Sequence, residues 1–189
     1  MIQTTEFRKG LKIEIDGKPY VILETQFVNP GKGSAFFKVR MKNLENSAVV
    51  ERTYKSGVDT GIERPDLEEV DMEYLYHDND GYHFMNQTTF ETVNLHEDYV
   101  GDAKYYLQEG IKLKILYHKG RPISLDLPYF VNLRVTETDP GLKGDTAAGG
   151  MKKGKMETGL QTNIPLFIKQ GELLKIDTRT GEYVERVKE

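Results

Sequence analysis

Apolar and polar residues trade places at every second position along much of the chain. In GLKIEIDGKPYVILE, Leu11, Ile13 and Ile15 alternate with Lys12 and Glu14, and the run breaks at Asp16-Gly17 before apolar residues resume. A period of two sends successive side chains to opposite faces of a strand, and Asp-Gly supplies the tight turn of a hairpin. The same unit predicts two more hairpins. GIKLKILYHKGRPISLDL opens at Gly110 and turns near Lys119-Gly120; GELLKIDTRTGEYVERV opens at Gly171 and turns near Thr180-Gly181. One glycine-opened hairpin in each third of the chain is a weak repeat and predicts three small β-domains in series. Short runs of Val, Ile, Tyr, Phe and Thr between Gly, Asn, Asp and Pro fill most of the remainder. In EYLYHDNDGYHFM, Tyr74 and Tyr76 alternate with Leu75 and are expected to pack a barrel. The best helical stretch, EDYVGDAKYYLQEG (Glu97–Gly110), is too short to build a helical domain. One short helix among about five strands is the pattern of an OB-type barrel. Pro65 and Pro128 mark the expected boundaries, giving domains 1–64, 65–127 and 128–189 with ends good to about four residues.

Composition narrows the class. The 189 residues are 38% hydrophobic and 30% charged, the balance of a folded chain and not of a disordered one. No apolar run approaches the ~18 residues of a membrane span, and MIQTTEFRKG lacks the apolar centre of a secretion signal. Cysteine is absent, which excludes disulfides, thiolate catalysis and cysteine-ligated zinc and fits a cytoplasmic protein. The net charge of −4 argues against a polyanionic partner until its distribution is counted. Residues 1–64 carry 11 Lys and Arg against 8 Asp and Glu; residues 65–127 carry 5 against 13; residues 128–189 carry 10 against 9. The acidity sits in the middle third, so the two ends are the candidates for contact with nucleic acid.

The run QFVNPGKGSAFFKV sets Lys32 alone between Gly31 and Gly33, just after Pro30. It is not a phosphate-binding P-loop, which needs Gly-Lys followed directly by Ser or Thr and then a helix. Here a glycine follows the lysine, and AFFKVRMKNL alternates as a strand, with Ala35, Phe37, Val39 and Met41 opposite Phe36, Lys38, Arg40 and Lys42. Lys32 is therefore expected near the tip of a hairpin loop. Pro and Gly alone would account for a turn. Two flanking glycines additionally let the backbone enter a narrow space with one side chain leading. Lys38, Arg40 and Lys42 form a basic strand face able to meet phosphates. A second candidate is the glycine- and lysine-rich run DPGLKGDTAAGGMKKGK, Asp139 to Lys155, read as a loop whose N–H groups and lysines meet RNA. The four histidines, His77, His83, His96 and His118, show no metal-ligand spacing, and no nucleophile-elbow motif occurs. A stand-alone single-stranded nucleic-acid binder stays open on these residues, although the charge and the lack of Trp weigh against it. An enzyme acting on a small substrate has no supporting constellation.

The pieces FRKGLKIEIDGKPY, FVNPGKGSAF, ERTYKSG, YLYHDNDGYHFMNQTTFE, GRPISLDLP, VTETDPGLKGDTAAGG, ETGLQTNIPLFIKQGE and KIDTRTGEYVERV, in this order, resemble the bacterial elongation factor P family almost end to end. The resemblance implies an all-β fold of three small barrels, an SH3-like (KOW-type) domain followed by two OB-type domains, L-shaped and tRNA-like in outline. It implies a monomer without metal or cofactor. Such a factor binds the ribosome, both its RNA and its protein, beside the peptidyl-tRNA and has no turnover of its own. It promotes peptide-bond formation where consecutive prolines stall synthesis. Lys32 matches the lysine that a modifying enzyme extends in many members, with Pro30, Gly31 and Gly33 as its loop. GDTAAGG, Gly144 to Gly150, matches the third-domain loop that approaches RNA near the exit site, with Lys143, Gly144, Asp145 and Thr146 as the expected RNA contacts.

Overall fold

The computed structural model describes residues 1–140 and 150–188. Their strands form three sheets. The first is a four-stranded meander of β1 (Lys12–Ile15), β2 (Lys18–Val28), β3 (Phe36–Asn43) and β4 (Val49–Lys55), paired in chain order. The β1–β2 turn is the predicted one. Ile15 pairs with Lys18, and Asp16 and Gly17 both take left-handed φ, 53° and 74°, which is the twist-matched two-residue hairpin. Inward-facing Ile13, Ile15, Ile22, Val39 and Met41 build a core with Phe7 and Ile62.

The second sheet contains β5 (Leu67–Asp78), β6 (Gly81–Asn86), β7 (Thr92–Leu95), β8 (Lys112–His118) and β9 (Arg121–Asp126), ordered β7-β6-β5-β8-β9. The third contains β10 (Phe130–Thr138), β11 (Met151–Met156), β12 (Gln161–Pro165), β13 (Leu173–Asp177) and β14 (Tyr183–Arg186), ordered β12-β11-β10-β13-β14. Numbered within its own domain, each reads 3-2-1-4-5. In the third sheet the two outer strands, β12 and β14, approach each other, as closure of an OB-type barrel requires. In the second sheet the third and fourth strands are joined by α1 (Glu97–Val100) and a 3-10 helix at Gly101–Tyr106; the third sheet uses turns at that point.

Three sequence expectations change in detail. The stretch Glu97–Gly110 holds one α-turn and then a 3-10 helix, because Gly101 stands at φ 52° and breaks the α-helical ladder. Tyr74 is buried but Tyr76 is 46% exposed. The register slips between them, with Tyr74 opposite Phe84 and Tyr76 opposite His83, and this bulge turns Tyr76 outward onto the His83 ring. Finally, MKKGKM is strand β11 and no part of a loop. Gly154 lies in it because a Cβ there would stand 2.5 Å from Ile164 Cδ1, so the residue serves a close packing contact.

By compactness the chain divides into two units, Met1–Glu69 with Leu116–Ser124, and Val70–Ile115 with Leu125–Glu189. Within the first, the β8–β9 turn is tied to β1 by charge. Glu14, 12% exposed, has Oε2 2.9 Å from Nε2 of His118, itself 6% exposed, and accepts from Lys119 Nζ at 2.6 Å. Glu45 Oε1 stands 3.9 Å from the other ring nitrogen. The Lys119 ammonium, and after it His118, hold the Glu14 carboxyl below the usual carboxylate range. Lys119 N–H also donates to the Asp66 carbonyl at 3.1 Å. Within the second unit, Val131, Leu133, Val135, Met156, Ile164, Leu174 and Ile176 form a core against which Tyr105, Tyr106 and Ile111 pack.

Candidate functional site

The longest hairpin of the first sheet carries the candidate loop. β2 and β3 pair from Tyr20–Asn43 up to Val28–Phe36, and seven residues, Asn29 to Ala35, connect them. Lys32 is the middle residue of the seven, and Gly31, Lys32, Gly33 and Ser34 are all exposed, with Pro30 half-buried beneath them. Aromatic rings pack the stem below. Phe27 and Phe37 pack with ring centroids 4.9 Å apart, and Phe37 meets the edge of Phe7 in the core.

The two glycines have different reasons to be there. Gly33 takes φ 107°, a conformation that strains any L side chain. Gly31 has no left-handed φ, and nothing lies within 4 Å of the place its Cβ would occupy. Nothing inside the described fold asks for a glycine at position 31.

The strand below the loop alternates as its sequence predicts. Val39 and Met41 are fully buried, Lys38 and Arg40 are exposed and Lys42 is half-buried. Register modifies the picture of a uniformly basic face. Lys38 lies between Gln26 and Thr53, and Lys42 between Val21 and Val49, but Arg40 lies between Glu24 and Glu51. Cross-strand carboxylates on both sides compete with phosphate for that guanidinium. Lys55, opposite Phe36 at the loop end of the ladder, adds an exposed cation that strand alternation alone did not single out. The sequence signal for it was ERTYKSG, whose Lys55 is two residues from Thr53 and so on the same face.

Lys143, Gly144, Asp145 and Thr146 lie outside the described residues. The run that follows them is described: β11 places Lys153 opposite Asn163 and Lys155 opposite Gln161, and Lys155 donates to Glu137 at 2.8 Å. No group of three or more His, Cys, Asp or Glu side chains able to hold a metal occurs among the described residues. Among them no helix is long and apolar enough to cross a membrane.

Comparison with known proteins agrees across the whole chain. Sequence profiles for the elongation factor P KOW-like domain, OB domain and C-terminal domain match residues 3–59, 67–125 and 131–186. Elongation factor P of Bdellovibrio bacteriovorus is 48% identical over 187 residues, 99% of this chain and 98% of that protein. The Moorella thermoacetica protein of the same name is 46% identical over 186 residues, 98% of this chain and all of that one. Among solved structures, eukaryotic translation initiation factor 5A from Methanococcus jannaschii superposes with a TM-score of 0.51 at 20% identity, over 64% of this chain and 88% of that one. An initiation factor 5A family protein from Naegleria fowleri gives 0.52 at 14% identity, over 67% and 96%. At such identities the two structures speak for the fold alone, whereas the sequence matches span every domain: the chain belongs to the elongation factor P family of translation factors.

Proposed function

We propose that this elongation factor acts on the ribosome beside the peptidyl-tRNA and restores peptide-bond formation at consecutive prolines, with Lys32 as the group that enters the reaction centre. The observation that carries the reading is Gly31: the fold leaves room for a side chain there and sets no need for a bare residue, so a constraint from outside the chain would explain one. A loop that must slide beside RNA supplies such a constraint, and the seven-residue span holding one exposed lysine at its middle is shaped for it.

Alignment of reacting groups supplies many powers of ten in rate without acid–base chemistry by the factor. A proline-bearing peptidyl-tRNA is poorly aligned. A cation on a thin support can hydrogen-bond the tRNA acceptor end and hold it, and an enzyme that lengthens the Lys32 amine would extend its reach. The body is anchored elsewhere. Lys38, Lys42 and Lys55, with Arg40 as a weaker partner, contact phosphates; the loop bearing Lys143, Gly144, Asp145 and Thr146 meets RNA from the third domain; and the acidic middle third either avoids RNA over most of its surface or faces a basic ribosomal protein. In this reading the chain works in the cytoplasm as a monomer of three domains, 1–64, 65–127 and 128–189, and the ribosome remains the catalyst.

The test is translation of a reporter holding three consecutive prolines, with wild type, Lys32→Ala and Gly31→Val. Both variants should fold within about 0.5 kcal/mol of wild type, as surface changes do. Lys32→Ala should lose rescue while keeping most ribosome affinity, and Gly31→Val should lose rescue with its lysine intact. Full rescue by Lys32→Ala would reduce the loop to a turn.

A further inference from the structure

At one corner of the third sheet, residues fifty positions apart assemble an exposed stack. Tyr129 and Phe130, 64% and 42% exposed, are neighbours where the chain enters β10. The Arg179 guanidinium lies 4.9 Å from the Tyr129 ring centroid and 5.9 Å from that of Phe130, and Lys175 Nζ stands 5.0 Å over Phe130. Arg179 is not loose. Its Nε and Nη2 form a fork on the two oxygens of Asp177, at 3.0 and 2.5 Å, and this holds the Asp177 carboxyl down at about 2. The backbone is clamped as well: Thr178 N–H donates to the Tyr129 carbonyl at 2.9 Å and Thr178 Oγ1 to the Pro128 carbonyl at 2.7 Å.

The charges here cancel in pairs, Arg179 with Asp177 and Lys175 with Glu185 at 3.0 Å. A phosphate gains little from such a patch. What it presents is aromatic surface: two exposed rings, each with a cation over one face, and a guanidinium plane whose side chain is still 58% exposed. Asn132 lies next on the same face of β10, in register with Lys175, and its exposed amide offers both a donor and an acceptor. Planes for stacking with a hydrogen-bonding amide beside them are the requirements of an unpaired nucleobase.

We propose that Tyr129, Phe130, Arg179 and Asn132 form a stacking site for an unpaired base of RNA. It rests on the reading of this chain as a factor that contacts ribosomal RNA, and adds a contact governed by base planes where the first-domain face is governed by phosphate charge. The site should therefore be nearly indifferent to salt.

The probe is a single-stranded adenosine hexamer carrying one 2-aminopurine. Wild-type protein should quench its fluorescence and shift the Tyr129 and Phe130 ring resonances. Arg179→Lys keeps the charge and loses the plane; Tyr129→Leu keeps apolar bulk and loses the ring. Each should weaken hexamer binding by about tenfold, the scale of one stacked base, with the wild-type-to-variant ratio unchanged between 50 and 200 mM salt. Ring resonances of the wild type that stay put overturn the proposal without appeal to any variant. So does wild-type hexamer affinity in Arg179→Lys, and so does a defect confined to ribosome binding, which would assign the patch to a protein partner. A ratio that collapses with salt would make it a phosphate site and overturn it too. Ring shifts in a protein that fails the proline reporter would leave this site standing and sink the functional reading.

Discussion

Replacing Glu14 by glutamine tests how the β8–β9 turn is held to the first sheet. The change keeps shape and removes charge from a group that is 12% exposed and serves both the His118 ring and the Lys119 ammonium. Lys119 is 53% exposed, so its pairing contributes only about 0.2–1 kcal/mol. The bond from buried His118 to an ionised carboxylate is the larger contribution, about 1.5–3 kcal/mol, of which a neutral amide oxygen recovers part. The backbone pairing of Glu14 with Glu63 does not involve the side chain and survives. The expected cost is thus about 1–3 kcal/mol, or about 4–24 °C of Tm for a unit of this size at roughly 4–8 °C per kcal/mol. Its pH dependence has a definite sign. The Glu14 carboxyl titrates below its ordinary value of 4.5, so its contribution is complete above that value and disappears as the pH falls through the lower, folded-state value. Wild type should exceed Glu14→Gln in stability at pH 7, and the gap should close in the acid range below 4.5. Thermal unfolding across that range reads the gap, and hydrogen exchange at the Lys119 amide, bonded to Asp66, reports local opening. A gap that stays constant from pH 7 to pH 3, or a Lys119 amide no less protected in the variant, would refute this account.

Alanine at Lys38, Arg40 and Lys42 together should lower the slope of log K against log salt for ribosome binding by nearer two phosphate contacts than three, about 0.9 each, because Glu24 and Glu51 already flank Arg40; Lys38→Ala alone should change it more than Arg40→Ala. Gly154→Ala should cost about 1–3 kcal/mol in chemical denaturation, since the added methyl meets Ile164 Cδ1 at 2.5 Å inside a closed core. Lys32→Arg should keep ribosome affinity yet rescue the proline reporter only in part, since guanidinium differs in geometry and is no substrate for an enzyme that extends an amine.

Local chemistry made much of this legible in the sequence. Asp16-Gly17 and Lys119-Gly120 announced turns because left-handed φ is needed at both positions, and all four residues adopt it. The faces of β3 followed from period two alone, and the Lys32 loop from the glycines and proline that interrupt it. What stayed hidden depends on partners distant in the chain. His118 meets Glu14 across 104 positions, and Thr178 meets Pro128 across 50. The carboxylates beside Arg40 emerge only when register is known. Tyr76 turned outward because Leu75 is an extra residue between paired Tyr74 and Tyr76, and alternation cannot foresee a bulge. Gly154 read as loop glycine because the clash it avoids, with Ile164, belongs to the neighbouring strand.

The Lys32 loop has an odd number of residues. With Val28 and Phe36 fixed opposite each other, seven connecting residues leave a single one at the centre, four links from either anchor. Four extended links span at most about 14 Å, so the reach of the lysine is set by the length of the tether as much as by its sequence. Adding or deleting one residue outside Gly31–Gly33 would give an even loop whose midpoint falls on the peptide bond between Lys32 and one of its glycines, so the lysine would lead from off-centre. Parity of the loop therefore sets the aim of its one prong: one residue added or removed on each side keeps the lysine centred between the strands, and a change by one draws it toward one of them even with every glycine and the lysine retained.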